Sequence, residues 1–236
     1  MKATLICSLL LALPTVGAST LIHTYDLTSA LTDLVGSTPL NSDGGSIGPA
    51  GYAFGANQGL NVSSALSNAG NYSILVDFSF QDLSGYRKIL DFKDLASDNG
   101  VYNLNTDLNF YNFAFGPNGA FTVNTLARVI VTRDSGTGLE VGYVNGVQEF
   151  SFTDVSSDGV FTGTNGIIRF FEDDGATSQR EASGGLATRI SIYDSALSAS
   201  EVADLGGPQT SSAVPEPASF LLLGTGLSLF VLARRR

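Results

Sequence analysis

The side chains with the most evident capacity for chemistry in this chain are carboxylates. Glu172, Asp173 and Asp174 are consecutive, and Glu181 stands at the far end of a Gly/Ser/Gln-containing loop. Together with loop carbonyls these four could supply the hard oxygen ligands that calcium takes, and a bound cation would order a loop whose charges otherwise repel one another. The spacing is not that of an EF-hand, and acidic residues are ordinary in solvated turns, which is the reading to set first beside a calcium site. A second group is aromatic and amide-bearing: Tyr102, Asn103, Asn105 and Tyr111 lie within ten positions, with Tyr86 and Tyr143 as further tyrosines. Flat rings and side-chain amides could receive a sugar face and its hydroxyls. The alternative is that the rings fill a core while the asparagines shape turns.

Nucleophilic catalysis and His-based zinc chemistry find little to work with. His23 is the sole histidine, Cys7 the sole cysteine, and no Gly-x-Ser-x-Gly stretch occurs. A triad needs a base beside its nucleophile, and catalytic zinc usually needs imidazole. His23, between Ile22 and Thr24, reads as a strand residue with satisfied hydrogen bonds. The expectation is therefore a protein that is not an enzyme.

The two ends carry addresses. Lys2 precedes an apolar run from Leu5 to Leu13, and Val16-Gly17-Ala18 places small side chains where a signal peptidase cuts. Residues 1–18 are thus expected to be a signal peptide, and Cys7 inside its apolar run is badly placed for lipid attachment. The remaining domain would have no disulfide and must rely on its core. Net charge is −10, and four of the twelve basic residues, Lys2 and Arg234 to Arg236, lie at the ends, so the stretch between is more acidic still. Such a surface excludes nucleic acid as a partner, because phosphate binding needs the opposite sign. At the other end, Phe220 to Ala233 gives 14 mostly apolar residues. As a helix it spans about 21 Å, short of the ~30 Å hydrocarbon core, and the arginines after it would sit at cytoplasmic headgroups.

Val214-Pro215-Glu216-Pro217-Ala218, the short transmembrane segment and Arg234-Arg235-Arg236 together resemble the PEP-CTERM sorting signal of Gram-negative bacteria. The resemblance implies transient anchoring in the inner membrane, cutting near Pro215–Pro217 by an exosortase, and delivery to the cell surface or an extracellular polysaccharide matrix. It divides the chain into a signal peptide (1–18), a domain (19–206), a linker (207–213) and a sorting tail (214–236).

The domain itself reads as β-sheet. In Tyr72 to Phe80, the side chains of Tyr72, Ile74, Val76, Phe78 and Phe80 recur with period two, and Leu75 alone is apolar on the other face. Further strands are expected at Arg87–Phe92, Val101–Leu104, Asn109–Phe115, Leu126–Arg133, Leu139–Val144, Gln148–Phe152, Ile167–Phe171 and Leu186–Tyr193. Asn145-Gly146 between two of them predicts a type I′ hairpin. One short helix is expected over Leu197–Leu205, with Ser198 capping, Glu201 completing a capping box and Gly206 as the stop. With almost no helix available, one sheet must bury its apolar face against another, which predicts a two-layer antiparallel β-sandwich.

Three stretches are similar to laminin-G-like, concanavalin-like domains: TRDSGTGLEVGYVNG from Thr132 to Gly146, IRFFEDD from Ile168 to Asp174, and GLATRISIYDSALSASEVADL from Gly185 to Leu205. HTYDLTSALTD, from His23, resembles their first strand, which pairs with the last. The resemblance implies a jelly roll of curved sheets, and domains of this kind bind glycans, proteins or calcium. Retaining hydrolases of related fold carry Glu-x-Asp-x-x-Glu on one strand, whereas counting from Glu172 the third position here is Thr177. Two functions follow as expectations, with a carbohydrate-active enzyme as a remote third that would need a paired-carboxylate cleft the sequence does not announce. One is a non-catalytic module binding extracellular glycan or exopolysaccharide matrix; the other is a structural component of that matrix, contacting matrix protein without a sugar pocket.

Overall fold

The computed structural model describes residues 19–117 and 119–208. The expected signal peptide and the sorting tail, with Pro215, Glu216, Pro217 and Arg234 to Arg236, lie outside the described residues. Among the described residues no helix is long and apolar enough to cross a membrane.

Among the described residues there are fifteen strands and one helix. In chain order they are β1 (Leu21–Asp26), β2 (Asn41–Ser42), β3 (Ser46–Gly48), β4 (Gly51–Phe54), β5 (Leu60–Val62), β6 (Tyr72–Phe80), β7 (Tyr86–Asp91) and β8 (Gly100–Leu104). There follow β9 (Asp107–Phe110), β10 (Ala114–Phe115), β11 (Ala127–Arg133), β12 (Leu139–Val144), β13 (Val147–Thr153), β14 (Ile168–Phe170), β15 (Gly185–Tyr193) and α1 (Ala199–Leu205). All pairings are antiparallel and form two sheets. The eight-stranded sheet runs β13-β12-β11-β6-β15-β4-β3, with β1 also on β15, and the seven-stranded sheet runs β10-β9-β8-β7-β14-β5-β2. The sandwich and its single short helix are as expected, and the first strand does pair with the last, Tyr25 opposite Ile190.

The core lies between the layers. From β6 come Tyr72, Ile74, Val76, Phe78 and Phe80, and from the facing sheet Leu90, Val101, Leu108, Phe110 and Phe170. Phe171 stacks on Phe54 with ring centroids 4.4 Å apart. Leu75, turned outward by the same alternation, is not left in water: it packs with Ile130, Val141 and Tyr143 beneath Leu197 and Val202 at α1. Ser198 caps that helix in a full capping box with Glu201, and Gly206 ends it at φ 57°. The Asn145-Gly146 turn has φ of 52° and 84°, both left-handed, as a type I′ hairpin demands.

One strand expected from the sequence is broken. Asn109 to Phe115 is divided between β9 and β10 by a turn in which Asn112 adopts φ 67°. Asparagine tolerates that left-handed geometry, and the reversal places Phe115 back opposite Asn109. His23 is buried in β1, with Nδ1 2.5 Å from Asp33 Oδ2 and Nε2 3.0 Å from the Ala65 carbonyl oxygen. Both ring nitrogens are occupied within the fold, and hydrogen bonds from His23 and the amides of Val35, Gly36 and Thr24 outweigh burial to hold the Asp33 carboxyl down at about 2.

Candidate functional site

The outer face of the seven-stranded sheet brings together most of the polar side chains singled out by sequence. Val101 points into the core, so alternation turns Tyr102 outward. Residues directly opposite in a ladder share a face. Lys88 pairs with Tyr102, Tyr102 with Asn109, and Asn109 with Phe115, giving one outward row. A second row runs through Asp91, Arg169, Asn61 and Asn41.

A bulge joins the two rows. The register of β7 against β8 shifts between Lys88 and Leu90, and Ile89 and Leu90 both enter the core. One extra residue in a strand changes which face the following side chains take. Lys88 and Asp91 therefore both face outward, three residues apart. Gly100 leaves room for the lysine stem, since a Cβ there would stand 2.7 Å from the Leu90 carbonyl oxygen and 3.3 Å from Lys88 Cε.

Lys88 is fully buried, although it is on the outer face, because the loop after β14 closes over it. Its backbone N–H donates to the Glu181 carbonyl at 2.7 Å, anchoring that loop to the bulge. Its Nζ is 2.6 Å from Asp174 Oδ2, 3.2 Å from Asp91 Oδ2 and 3.8 Å from Asp173 Oδ1. It also lies 4.9 Å from the centre of the Tyr102 ring, a cation–π distance. The surroundings pull the carboxyls apart in acidity. Burial pushes the Asp174 carboxyl up, but the Lys88 ammonium and the Ala176 amide bring it below its ordinary value. Burial keeps that of Asp91 raised in spite of Lys88. Asp98 is raised by burial and then by the charge of Asp174. Glu181 is pushed up to about 7 by burial and by the charges of Asp173 and Asp98.

Of the four carboxylates read from the sequence as calcium ligands, Asp173 and Asp174 lie within 4 Å of Lys88 Nζ, and the Glu181 carboxyl is near enough to feel its charge. Glu172 does not join them: its Oε2 is 2.8 Å from Arg169 Nη1. Asp94 and Asp43 take the other positions around that guanidinium, at 2.7 and 3.5 Å. Burial, and then the neighbouring Asp43 carboxyl, push Glu172 up to about 8. Among the described residues no group of three or more His, Cys, Asp and Glu side chains is arranged to hold a metal ion.

Of the four residues read as sugar-binding, the two tyrosines come together and the two asparagines support them. Tyr102 and Tyr111 have ring centroids 6.0 Å apart, and Tyr86 completes a triangle at 5.5 Å from Tyr102 and 5.7 Å from Tyr111. Tyr102 is the buried base, its hydroxyl donating to the Asp98 carbonyl at 3.1 Å, while Tyr86 and Tyr111 are partly exposed. Asn103 lies on the opposite face and donates to the Leu83 carbonyl at 2.9 Å. Asn105, at φ 60°, accepts from the Gly85 amide at 2.9 Å. Both hold the 83–85 loop that delivers Tyr86. Tyr143 is on the other sheet under α1. Sequence reasoning overlooked Lys88, Asp91 and Asp98, and the signal for them, a bulge, has no marker in the residue pattern of β7.

A groove of about 350 Å³ lies elsewhere, beside β1 and β15, lined by Tyr25, Arg128, Arg189 and Tyr193 among others. It makes a poorer candidate. Arg128 spends its guanidinium on Asp77, through two 2.7 Å hydrogen bonds, and on the Leu205 carbonyl at 2.6 Å.

Comparison with known proteins agrees with the architecture. Domain 4 of AbnA, a GH43 extracellular arabinanase from Geobacillus stearothermophilus solved in complex with arabinotriose, is 19% identical with a TM-score of 0.58; the match covers 80% of this chain and 99% of that one. Trypanosoma rangeli sialidase, as the covalent intermediate with 2,3-difluorosialic acid, is 15% identical at a TM-score of 0.58, covering 78% of this chain but only 32% of its own. An HCR/D mutant is 13% identical at 0.55, with 78% and 50% covered. At these identities the likeness is one of fold. No curated protein sequence matches the chain. Residues 213–236 match the PEP-CTERM protein-sorting motif, so the chain carries at its C-terminal end a signal linked to export in Gram-negative bacteria and to exosortase processing.

Proposed function

We propose that the domain is a non-catalytic module of laminin-G-like type that binds extracellular glycan or exopolysaccharide on the outer face of its seven-stranded sheet. After removal of the signal peptide and exosortase cutting near Pro215–Pro217, it acts at the cell surface or in the matrix. The observation that carries this reading is the tyrosine triangle: two partly exposed rings, Tyr86 and Tyr111, seated on a buried third and bordered by acceptors. Aromatic faces take the apolar face of a sugar ring, and neighbouring carboxylates and amides take its hydroxyls. A polymer lying across an open face needs no enclosed cavity. On this face Lys88 holds Asp174, Arg169 holds Glu172, and the Thr177 hydroxyl and Glu181 amide hold one oxygen of Asp173. The reading does not call on calcium.

A glycan array followed by calorimetry on the purified protein tests it. Tyr111→Ala and Tyr86→Ala are expected to remove binding while leaving the urea unfolding midpoint nearly unchanged. Binding retained in both variants would move the site off this face. Failure of every glycan, with the protein still held in purified matrix, would favour the structural role instead.

A further inference from the structure

The carboxylates around Lys88 outnumber the cation that serves them. Asp91, Asp173 and Asp174 are within 4 Å of its Nζ, and Asp98 and Glu181 interact with the same group. Asp173 is fully buried, with Oδ2 accepting from the Thr177 hydroxyl and the Glu181 amide, yet its Oδ1, turned toward Lys88, accepts no hydrogen bond. Asp98 shares a hydrogen bond with the Asp174 carboxyl, whereas Glu181 Oε2 is likewise without a donor. Buried carboxylate oxygens in this condition are uncommon in folded proteins. The nearby Arg87 does not redress the balance, being committed to Asp82.

The aromatic triangle borders this surplus. Tyr102 bonds to the Asp98 backbone, and the charge of Glu181 is felt at Tyr86. A ring face attracts a cation through its quadrupole, and a carboxylate attracts it through full charge. The two side by side favour an organic ammonium and disfavour a uronate or sulfate.

Resting on the glycan-binding reading, we infer that this face selects glycans with free amino groups over N-acetylated and acidic ones, the sugar ammonium lying between Glu181 and the rings of Tyr86 and Tyr111. The charge of the whole domain acts in the same sense, concentrating cationic polymers and repelling anionic ones.

Calorimetry with glucosamine, N-acetylglucosamine and galacturonate oligomers of equal length decides the matter. The expected result is binding of the glucosamine oligomer about tenfold tighter than its acetylated counterpart, a step of the size expected for a cation–π contact with a carboxylate partner, and no binding of the galacturonate. Glu181→Gln should erase the preference, and on the native protein added sodium chloride should reduce it, as screening requires. If the acetylated oligomer binds as well or better, with Tyr111→Ala still abolishing binding, the selectivity is overturned and the glycan reading survives. If no oligomer or array glycan binds the native protein, the glycan reading falls and this inference with it.

Discussion

The two outer faces of the sandwich come from the same alternation of strand residues and have been finished in opposite ways. On the eight-stranded sheet, Leu75, Ile130, Val141 and Tyr143 are apolar and a helix covers them. The buried ion pair on that outer face is one to one, Arg128 gripping Asp77 through two bonds and spending its remaining reach on the last turn of α1. On the seven-stranded sheet no helix intervenes. Its cover is a loop, its rings stay half in water, and one ammonium answers to several carboxylates. The first face satisfies its charged pair internally; the second keeps an unmet acceptor and open rings, the features on which the proposed glycan site rests.

That contrast is sharpest at Lys88. Replacing it by methionine preserves much of the stem packing and deletes the cation, leaving buried carboxylates without their partner. Breaking such a pair costs about 3–5 kcal/mol. Urea unfolding at pH 7 should show a loss of that order. At pH 5 the loss should shrink, because Asp91, Asp98 and Glu181 all take up protons more readily than ordinary carboxyls and can then be buried neutral. An equal loss at both pH values would show that the lysine matters for shape alone.

Ile130→Ala is the matching change on the covered face. Ile130 is fully buried under α1, and truncation of such a residue costs about 2–5 kcal/mol through lost transfer energy and a residual cavity. Glycan binding should be unaffected under conditions where the variant is folded. A large loss of affinity would mean that the two faces are coupled through the sandwich, and the division of labour would fail.

The same contrast explains how much could be read from the sequence. The inward face of β6, the Asn145-Gly146 hairpin and the capping box of α1 were legible because each is local: period two, a turn dipeptide and a four-residue motif. The outward Leu75 was legible as the single apolar residue on its face, but not the helix that covers it. Tyr102 and Tyr111 were legible as rings near amides, but not the division in which the rings form the surface and Asn103 and Asn105 brace it. The acidic run was read as one cluster, whereas the chain sends Glu172 to Arg169 and the next two residues to Lys88. What decides that split is a bulge in β7 and a left-handed Phe171, at φ 64°, properties of pairing that no single stretch encodes.

The acid–base behaviour of the open face gives a smaller effect. Glu172 and Glu181 stand at about 8 and about 7 in the folded protein, above the ~4.3 of an unfolded glutamate. The folded state therefore holds protons that the unfolded chain has released, and the stability this contributes is complete below about pH 4.3 and lost as pH rises toward 8. Glu181 is the more solvated and contributes less. The unfolding free energy should fall from pH 5 to pH 8 by an amount on the order of 2 kcal/mol, and Glu172→Gln should flatten most of that slope. A slope unchanged in that variant would place the titrating groups elsewhere.

The smallest change tests how independent the covered face is. Ser198 accepts the Glu201 amide while Glu201 reaches back to the Ser198 amide at 2.7 Å, so Ser198→Ala removes one half of the box and weakens the other. The cost of losing such a cap is about 1 kcal/mol. Because α1 is only seven residues long and is held down mainly by Val202, with Leu197 just before it, the loss should appear as faster hydrogen exchange at 199–205, with β6 and β11 as protected as before. Exchange that quickened across those strands as well would mean that the helix and sheet open as one unit. The cover would then be part of the sandwich itself, and the difference between the two faces would lie in chemistry alone, not in how firmly each is closed.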